Sequence, residues 1–397
     1  MTSSFGWLDA DASQRRRMLE IVDLFKDEGT VDELGIGAIR DALSGALFPG
    51  TSTLHTRLRY VLFVPWLMQH AAHKPSPAEM GAEFRALEYR LVGSLLAGGE
   101  QVGVIGSRAR DRLKRLPSAT YWSALGAWGI READLSADVY FRRRHDAHRL
   151  ARRTATADDP EAQERRPRSG LDPHLPPAPD GLLTKTNFEL SAAEEEYLSH
   201  VIARETDGSM LAWLILHQPV TLSDLVWELP GLSDAPARLA ETVDHARRFH
   251  TAIHGAALLY NLLLARKRAS DELVDYYEAE LDAWRVEVDE TGALESWDRA
   301  AWWATIARHS AGIRPPTRLF VDSWITLAST DAVVERQSDA ALLVATRERQ
   351  IKGGRARLAN QAALDRWSGA SGTGRLDYTW SIAHRHLRDL YAARETA

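Results

Sequence analysis

Apolar residues recur every three or four positions through most of the chain, the spacing expected of helices that bury one face. From residue 191 onward this pattern predicts a nearly unbroken series of helices, over residues 191–202, 210–216, 238–267, 271–288, 296–310, 318–328, 331–351, 355–367 and 378–393. In the first half it predicts helices over residues 11–26, 76–97, 108–116 and 121–128. Sustained alternation typical of strands, internal repeats and long heptad runs are all missing. The sequence therefore predicts a mainly α fold with a multi-helical body.

Local signals place some helix starts. Ser191 followed by Glu194 is a capping box, which predicts a helix beginning directly after Ser191. The hydroxyls of residues 51–53 predict an N-cap for a helix that runs through Arg57 and Tyr60, and Pro65 is expected to kink or end that helix.

Prolines cluster in the middle of the chain, between residues 154 and 180, at Pro160, Pro167, Pro173, Pro176, Pro177 and Pro179. This composition predicts an exposed, proline-rich linker or long loop. We therefore expect an N-terminal helical domain over residues 1–153, a linker over 154–182 and a C-terminal helical domain over 183–397. A long insertion within one domain is the alternative.

The amino-acid composition excludes several kinds of chemical site. The 397 residues are 45% hydrophobic and 26% charged, as in globular proteins, and the absence of cysteine excludes disulfides, thiolate metal sites and a cysteine nucleophile. Neither a secretory signal nor an apolar run long enough for a membrane span is present, so we expect a cytoplasmic protein with no membrane partner. Several of the 13 tryptophans lie on apolar helix faces and are expected in the core, among them Trp213, Trp284, Trp303 and Trp324.

The net charge is −6, but basic residues are concentrated locally. Residues 347–385 hold eight Lys/Arg against three Asp/Glu, and residues 107–115 hold five against one. Such segments form either solvated helix faces or contacts with nucleic acid.

The best candidate for binding phosphate is the stretch RERQIKGGRAR, in which Arg347, Lys352, Arg355 and Arg357 surround a Gly-Gly pair. Glycines that end one helix and let another begin would leave backbone N–H groups free beside these cations. Arg57, near the threonines at 51–53, is a further candidate phosphate ligand. The alternative at the glycines is a helix hinge with solvated arginines. The alternative at Arg57 is a structural role, in which an arginine of this segment bridges Asp32 or Asp41.

Other motifs are weaker. His250 and His254 share one helix face and could bind a metal if a third ligand came from elsewhere, but ordinary helix histidines are the favoured interpretation, so we expect no metal and no cofactor. Residues 29–43 loosely match a helix-turn-helix. The signatures of α/β-hydrolases, dinucleotide-binding folds and P-loops are absent, which leaves the catalytic residues unknown.

Several segments of the sequence together resemble a bacterial family. These segments are FGWLD at 5–9, ELGIGAIRDAL at 33–43, LFPGTSTLHTRLRYVLFVPW at 47–66, HGAALLYNLLLA at 254–265, RERQIKGGRARLANQAALDRWSG at 347–369 and LDYTW at 376–380. The sequence resembles domain-of-unknown-function family 6361. The resemblance implies no reaction and no catalytic residues. It does imply an association with helicase-like and nuclease-like proteins in phage-defence gene clusters. Thr379 stands where the family pattern would have arginine.

Together these features lead us to expect a non-catalytic accessory subunit of a bacterial anti-phage defence system, which contacts nucleic acid or a helicase-like or nuclease-like partner through a basic face. The alternative is an enzyme that processes nucleic acid or nucleotides, with a phosphate site near Gly353. A third possibility is a scaffold that binds only proteins.

Overall fold

The computed structural model describes residues 32–107, 115–154, 169–219, 221–310, 312–329, 333 and 337–396. Its α-helices in chain order are α1 (Gly37–Leu47), α2 (Tyr60–Ala71), α3 (Pro77–Ala97), α4 (Pro117–Ala127), α5 (Ala137–Thr154), α6 (Ala192–Glu205), α7 (Met210–His217), α8 (Ala237–Arg268), α9 (Asp271–Thr291), α10 (Arg299–His309), α11 (Pro315–Ala328), α12 (Gln337–Lys352), α13 (Gln361–Leu364) and α14 (Trp380–Thr396). Within these residues, β pairing is limited to an isolated antiparallel bridge between Arg131 and Leu171. The prediction of a mainly α fold is confirmed. The helix predicted over residues 11–26 and most of that over 108–116 lie outside the described residues.

The chain divides into two compact units, each built from two separate stretches of sequence. The first unit combines the residues up to Leu43 with Glu241–Tyr378, and the second combines Ser44–Ala240 with Thr379–Ala397. The predicted division at residues 154–182 follows the order of the chain instead, and it stays a prediction. Within the described ranges, no helix is long and apolar enough to cross a membrane.

In the second unit, helix α2 is buried along nearly its whole length. Part of the proline-rich stretch crosses α2 and α3 rather than projecting from them. The indole N–H of Trp66 donates to the carbonyl of Pro176 at 2.7 Å, and the hydroxyl of Ser94 donates to that of Leu182 at 2.7 Å. The described end of this stretch is therefore fixed to the helices by hydrogen bonds.

In the first unit, the long helix α8 is the element around which two tryptophans pack. The indole N–H of Trp284 on α9 donates to the carbonyl of Thr251 at 2.8 Å, and that of Trp324 on α11 donates to Ala252 at 2.7 Å. Gly255 makes this packing possible, because a Cβ atom there would lie 2.4 Å from the Trp284 ring. The four tryptophans assigned to the core from sequence are all buried.

The predicted start of the helix through Arg57 was wrong. Helix α2 begins at Tyr60, and its N-cap residue makes no side-chain hydrogen bond. The hydroxyls at residues 51–53 lie well before it, because the segment in between is bonded elsewhere: the N–H of Thr56 donates to the Tyr121 hydroxyl, and the N–H of Leu58 donates to Asp389. The helix then continues through Pro65 to Ala71.

The helix predicted over residues 355–367 was too long, because only the short helix α13 forms within that range. Gly353 adopts a φ of +55°, which interrupts the helical path after α12. The backbone N–H groups of Arg357 and Leu358 then donate to the Glu348 carboxylate instead of to helix carbonyls. The capping box at Ser191, by contrast, is confirmed at the start of α6.

Helix α4 lacks a capping residue of its own, since Leu116 at its N-cap has no side-chain hydrogen bond. A buried carboxyl from α3 takes that role: Glu88 accepts the backbone N–H of Ser118 at 2.7 Å. Burial raises the pKa of the Glu88 carboxyl to about 7, although the hydrogen bond from Ser118 acts in the opposite direction.

Gly255→Ala should destabilise the protein by about 1–3 kcal/mol, because the new methyl group would overlap the rigid Trp284 indole. The free energy of unfolding from urea titration measures this. Gly93→Ala on α3 is the matched control, since a Cβ atom there meets no atom within 4 Å and the change should be neutral or stabilising. Equal effects of the two substitutions would contradict the packing described here.

Glu88→Gln should change how stability depends on pH. The folded-state pKa of about 7 lies above the ordinary value of 4.5, so the folded chain binds more protons between these pH values. The stabilisation from protonated Glu88 is therefore present below pH 4.5 and is lost as pH rises toward 7. The glutamine variant should gain stability relative to the wild type across this window, measured by urea titration at each pH. If the difference in unfolding free energy between the variant and the wild type stays constant across this pH range, Glu88 does not titrate there.

Candidate functional site

The first unit contains a buried cluster of opposite charges, formed by Glu33, Tyr260 on α8, Glu348 and Lys352 on α12, and Arg357. Lys352 pairs with both carboxylates, at 3.1 Å from Glu348 and in closer contact with Glu33. Arg357 donates to Glu33 at 2.9 Å. The Tyr260 hydroxyl donates to Glu348 at 2.6 Å and accepts from Lys352 at 2.8 Å. Two carboxylates and two cations thus balance one another.

Glu348 is the centre of this cluster and is fully buried. Burial by itself would raise the pKa of its carboxyl. Hydrogen bonds from Tyr260 and from the backbone N–H groups of Leu358 and Arg357, together with the Lys352 charge, lower that pKa below its ordinary value instead. Glu348 is accordingly an ionised group whose acceptor sites are satisfied from inside the protein.

The structure brings together two of the predicted phosphate ligands, Lys352 and Arg357, through their shared contact with Glu33. Arg347 is buried, and its guanidinium donates to the carbonyls of Leu34 and Gly35 and to a threonine hydroxyl. Arg355 lies exposed in the 3₁₀ turn Gly353–Arg355. The cations are visible in the sequence, but the carboxylates that three-dimensional proximity brings to two of them are not.

Arg57, the remaining predicted ligand, belongs to the second unit. Its guanidinium forms an ion pair with Asp389 on α14 at 2.9 Å. Asp389 also accepts the backbone N–H of Leu58 at 2.9 Å, so it fixes the segment just before α2. Arg57 thus forms an ion pair, but its partner is Asp389 and not Asp32 or Asp41, the partners expected from the sequence. Phosphate binding by the five predicted residues stays a prediction.

A pocket lies next to the charge cluster in the first unit. It holds about 60 Å³ of space for water-sized groups. One wall is a stripe of helix α8, a second is the chain from Asp32 to Arg40, and the third is the glycine-rich loop SGTGR at residues 371–375. The α8 stripe presents His250, His254 and Tyr260 to the pocket.

His250 is held as a single neutral tautomer. Its Nδ1 lies 2.7 Å from the carbonyl oxygen of Leu376, so Nδ1 carries the proton and donates it. Nε2 therefore accepts from Arg375, at 3.2 Å. Burial lowers the pKa of His250, and the hydrogen bond to Leu376 acts in the opposite direction. Among the described residues, no set of three His, Asp or Glu side chains could hold a metal ion.

The glycine-rich loop is fixed to helix α8 by a buried amide. Asn261 donates to the carbonyl of Ser371 and accepts its N–H, each at 2.8 Å. Tyr277 on α9 donates to the carbonyl of Gly369 at 2.7 Å. Since these bonds are buried or partly buried, the loop holds a defined position at the pocket.

Helix α5 in the second unit was not among the candidate sites above, although its sequence carries the signal. It contains six arginines and two aspartates. Tyr140 and Phe141 are buried, and the Phe141 ring packs edge-on against Phe84 of α3 at 5.9 Å between centroids. Arg142 and Arg149 are exposed. The helix therefore exposes Arg142 and Arg149 while its two aromatic side chains are buried.

Glu348→Ala should destabilise the protein by about 3–5 kcal/mol, because it leaves buried cations and the Tyr260 hydroxyl without their shared acceptor. Glu278→Ala is the matched control: it removes one partner of the exposed pair with Arg266, for which less than about 1 kcal/mol is expected. Urea titration compares the two. Similar small losses for both variants would show that the cluster contributes little.

Comparisons with other proteins identify the family of this chain but do not indicate its function. No curated protein and no solved structure matches the chain. A family model described as a family of unknown function, DUF6361, matches residues 2–394. Because that match covers nearly the whole sequence, both structural units lie within it, and the chain belongs to the DUF6361 family.

Proposed function

We propose that this protein is a non-catalytic accessory subunit that contacts the phosphates of nucleic acid through helix α5. The observation that supports this most strongly is the pairing of exposed Arg142 and Arg149 with a buried aromatic face on the same helix. A helix anchored in this way can hold its cations in place without using them for its own packing.

The spacing of these arginines suits a phosphate backbone. Arg142 and Arg149 are seven residues apart, and at 1.5 Å per residue their Cα atoms lie roughly 10 Å apart along the helix axis. Phosphates of one DNA strand follow one another every ~3.4 Å of duplex axis, so the pair spans about three of them. Asp146 lies between the two arginines and is also exposed. The helix as a whole still carries a net charge of +4, because it contains six arginines and two aspartates.

The cations at residues 352 and 357 are less suited to this role. Each is engaged with Glu33, and phosphate would have to displace an internal carboxylate before it could bind there. We therefore propose that helix α5 provides the basic face. The role in anti-phage defence, and a helicase-like or nuclease-like partner, rest on the resemblance to family 6361 described above.

An enzyme acting on nucleotides is the second candidate. The observation in its favour is His250, a neutral imidazole held in one tautomer at the edge of a pocket. A neutral imidazole can accept a proton during catalysis.

The double substitution Arg142→Glu/Arg149→Glu should weaken binding of fluorescent single- and double-stranded DNA by about tenfold or more at low salt, because two phosphate contacts become repulsive. It should also make the slope of log K for DNA binding against log salt concentration less steep, by about 2. Fluorescence anisotropy at several salt concentrations measures both quantities.

Two single substitutions serve as comparisons. Arg366→Glu reverses an exposed arginine of the first unit and should leave binding nearly unchanged. Arg355→Glu tests the exposed residue of the phosphate site predicted from sequence. If Arg355→Glu abolishes binding while the α5 double variant binds normally, the assignment to α5 is wrong. If the wild type shows no salt-dependent binding to DNA or RNA, the proposed contact with nucleic acid is wrong.

A further inference from the structure

We propose that the pocket beside His250 in the first unit binds a phosphoryl group, either as inorganic phosphate or as part of a mononucleotide. The proposal concerns a different unit from helix α5 and does not depend on the function proposed above. It rests on the hydrogen-bond donors that line the pocket, on how its acidic residues are satisfied, and on its size.

Arg375 supplies the first donors. Its Nη1 donates to Glu287 at 2.7 Å and to His250 at 3.2 Å, and its Nη2 donates to the other oxygen of Glu287. These bonds use three of the five N–H groups of a guanidinium. The Nε–H and the second Nη2–H have no acceptor within the described part of the chain, and the side chain is 43% exposed at the pocket. Arg375 is thus held in a fixed orientation with donor capacity left over.

The loop supplies backbone donors. The N–H of Ser371 is bonded to Asn261, and Gly372 adopts a φ of +65°, which glycine tolerates without strain. No acceptor for the N–H groups of Gly372 and Gly374 lies among the described residues, and both glycines line the pocket. Successive backbone N–H groups in a loop of this kind form a concavity that suits an anion.

The acidic residues of the pocket are already satisfied. Both oxygens of Asp32 accept backbone N–H groups at the start of α1, from Ile36 at 2.7 Å and from Gly37 at 2.8 Å. Glu33 faces Lys352 and Arg357. Their negative charges are therefore compensated inside the protein, and repulsion of an incoming anion is reduced.

The size of the pocket points to a small ligand. A water molecule needs roughly 10–15 Å³ of such space, so the ~60 Å³ available admits about four to six atoms of that size. A phosphate group, with one phosphorus and four oxygens, has a size that fits this space. The rest of a nucleotide would have to remain outside.

The test uses the full chain and isothermal titration calorimetry, with inorganic phosphate and AMP as separate ligands. We expect saturable binding of at least one of them with a Kd below about 1 mM. Arg375→Gln should weaken it about tenfold or more, because a charged donor is lost. Glu287→Gln should tighten it severalfold, because the carboxylate that competes for Arg375 loses its charge.

Arg355→Gln is the matched control, an exposed arginine of the same unit outside the pocket, and it should leave the affinity unchanged. Thermal unfolding of each variant establishes that it is folded. Tighter binding of AMP than of phosphate would identify a nucleotide as the source of the phosphoryl group, and tighter binding of phosphate than of AMP would identify free phosphate. Absence of binding to both ligands, or equal losses in Arg375→Gln and Arg355→Gln, would overturn the proposal even if helix α5 binds DNA.

Discussion

The compensation of buried carboxylates is the constraint on which the first unit depends. Glu348 has no exposed surface, and an ionised carboxylate in such a place is stable only with charged or hydrogen-bonding partners. Those partners come from three separate stretches of chain: Tyr260 on α8, Lys352 on its own helix, and the backbone N–H groups that follow the turn at Gly353. The same lysine then reaches Glu33, which joins the chain before α1 to α12.

This constraint also explains where the sequence was informative. The period of apolar residues identified most helices, because burial of one face leaves a local pattern that needs no knowledge of partners. It failed at residues 355–367, where the N–H groups of Arg357 and Leu358 are used by Glu348 rather than by a helix. The N-cap hydroxyls at residues 51–53 also failed to mark the helix start at Tyr60, because the N–H groups of Thr56 and Leu58 are bonded to Tyr121 and Asp389, far away in sequence. In each case a tertiary hydrogen bond outweighed a local preference.

The candidate sites follow the same rule. The cations around Gly353 were visible in the sequence, but Glu33 is more than 300 positions from Arg357, so its role as their counterion could not be seen. The pocket beside His250 combines residues from α8, from the chain between Asp32 and Arg40 and from the loop at 371–375, and no sequence signal indicated that these three stretches come together. Helix α5 was visible as a run of arginines, but the exposure of Arg142 and Arg149 required the structure. Net local charge therefore predicts where cations occur and not whether they are available to a ligand.

Hydrogen–deuterium exchange of the full chain, with and without a saturating DNA oligonucleotide, distinguishes the cations of α5 from those at residues 352 and 357. If α5 contacts the phosphates as proposed, peptides covering Ala137–Thr154 should exchange more slowly when DNA binds, and peptides covering residues 347–358 should exchange at the same rate as before. Protection of residues 347–358 with none in α5 would contradict the assignment of the basic face to α5.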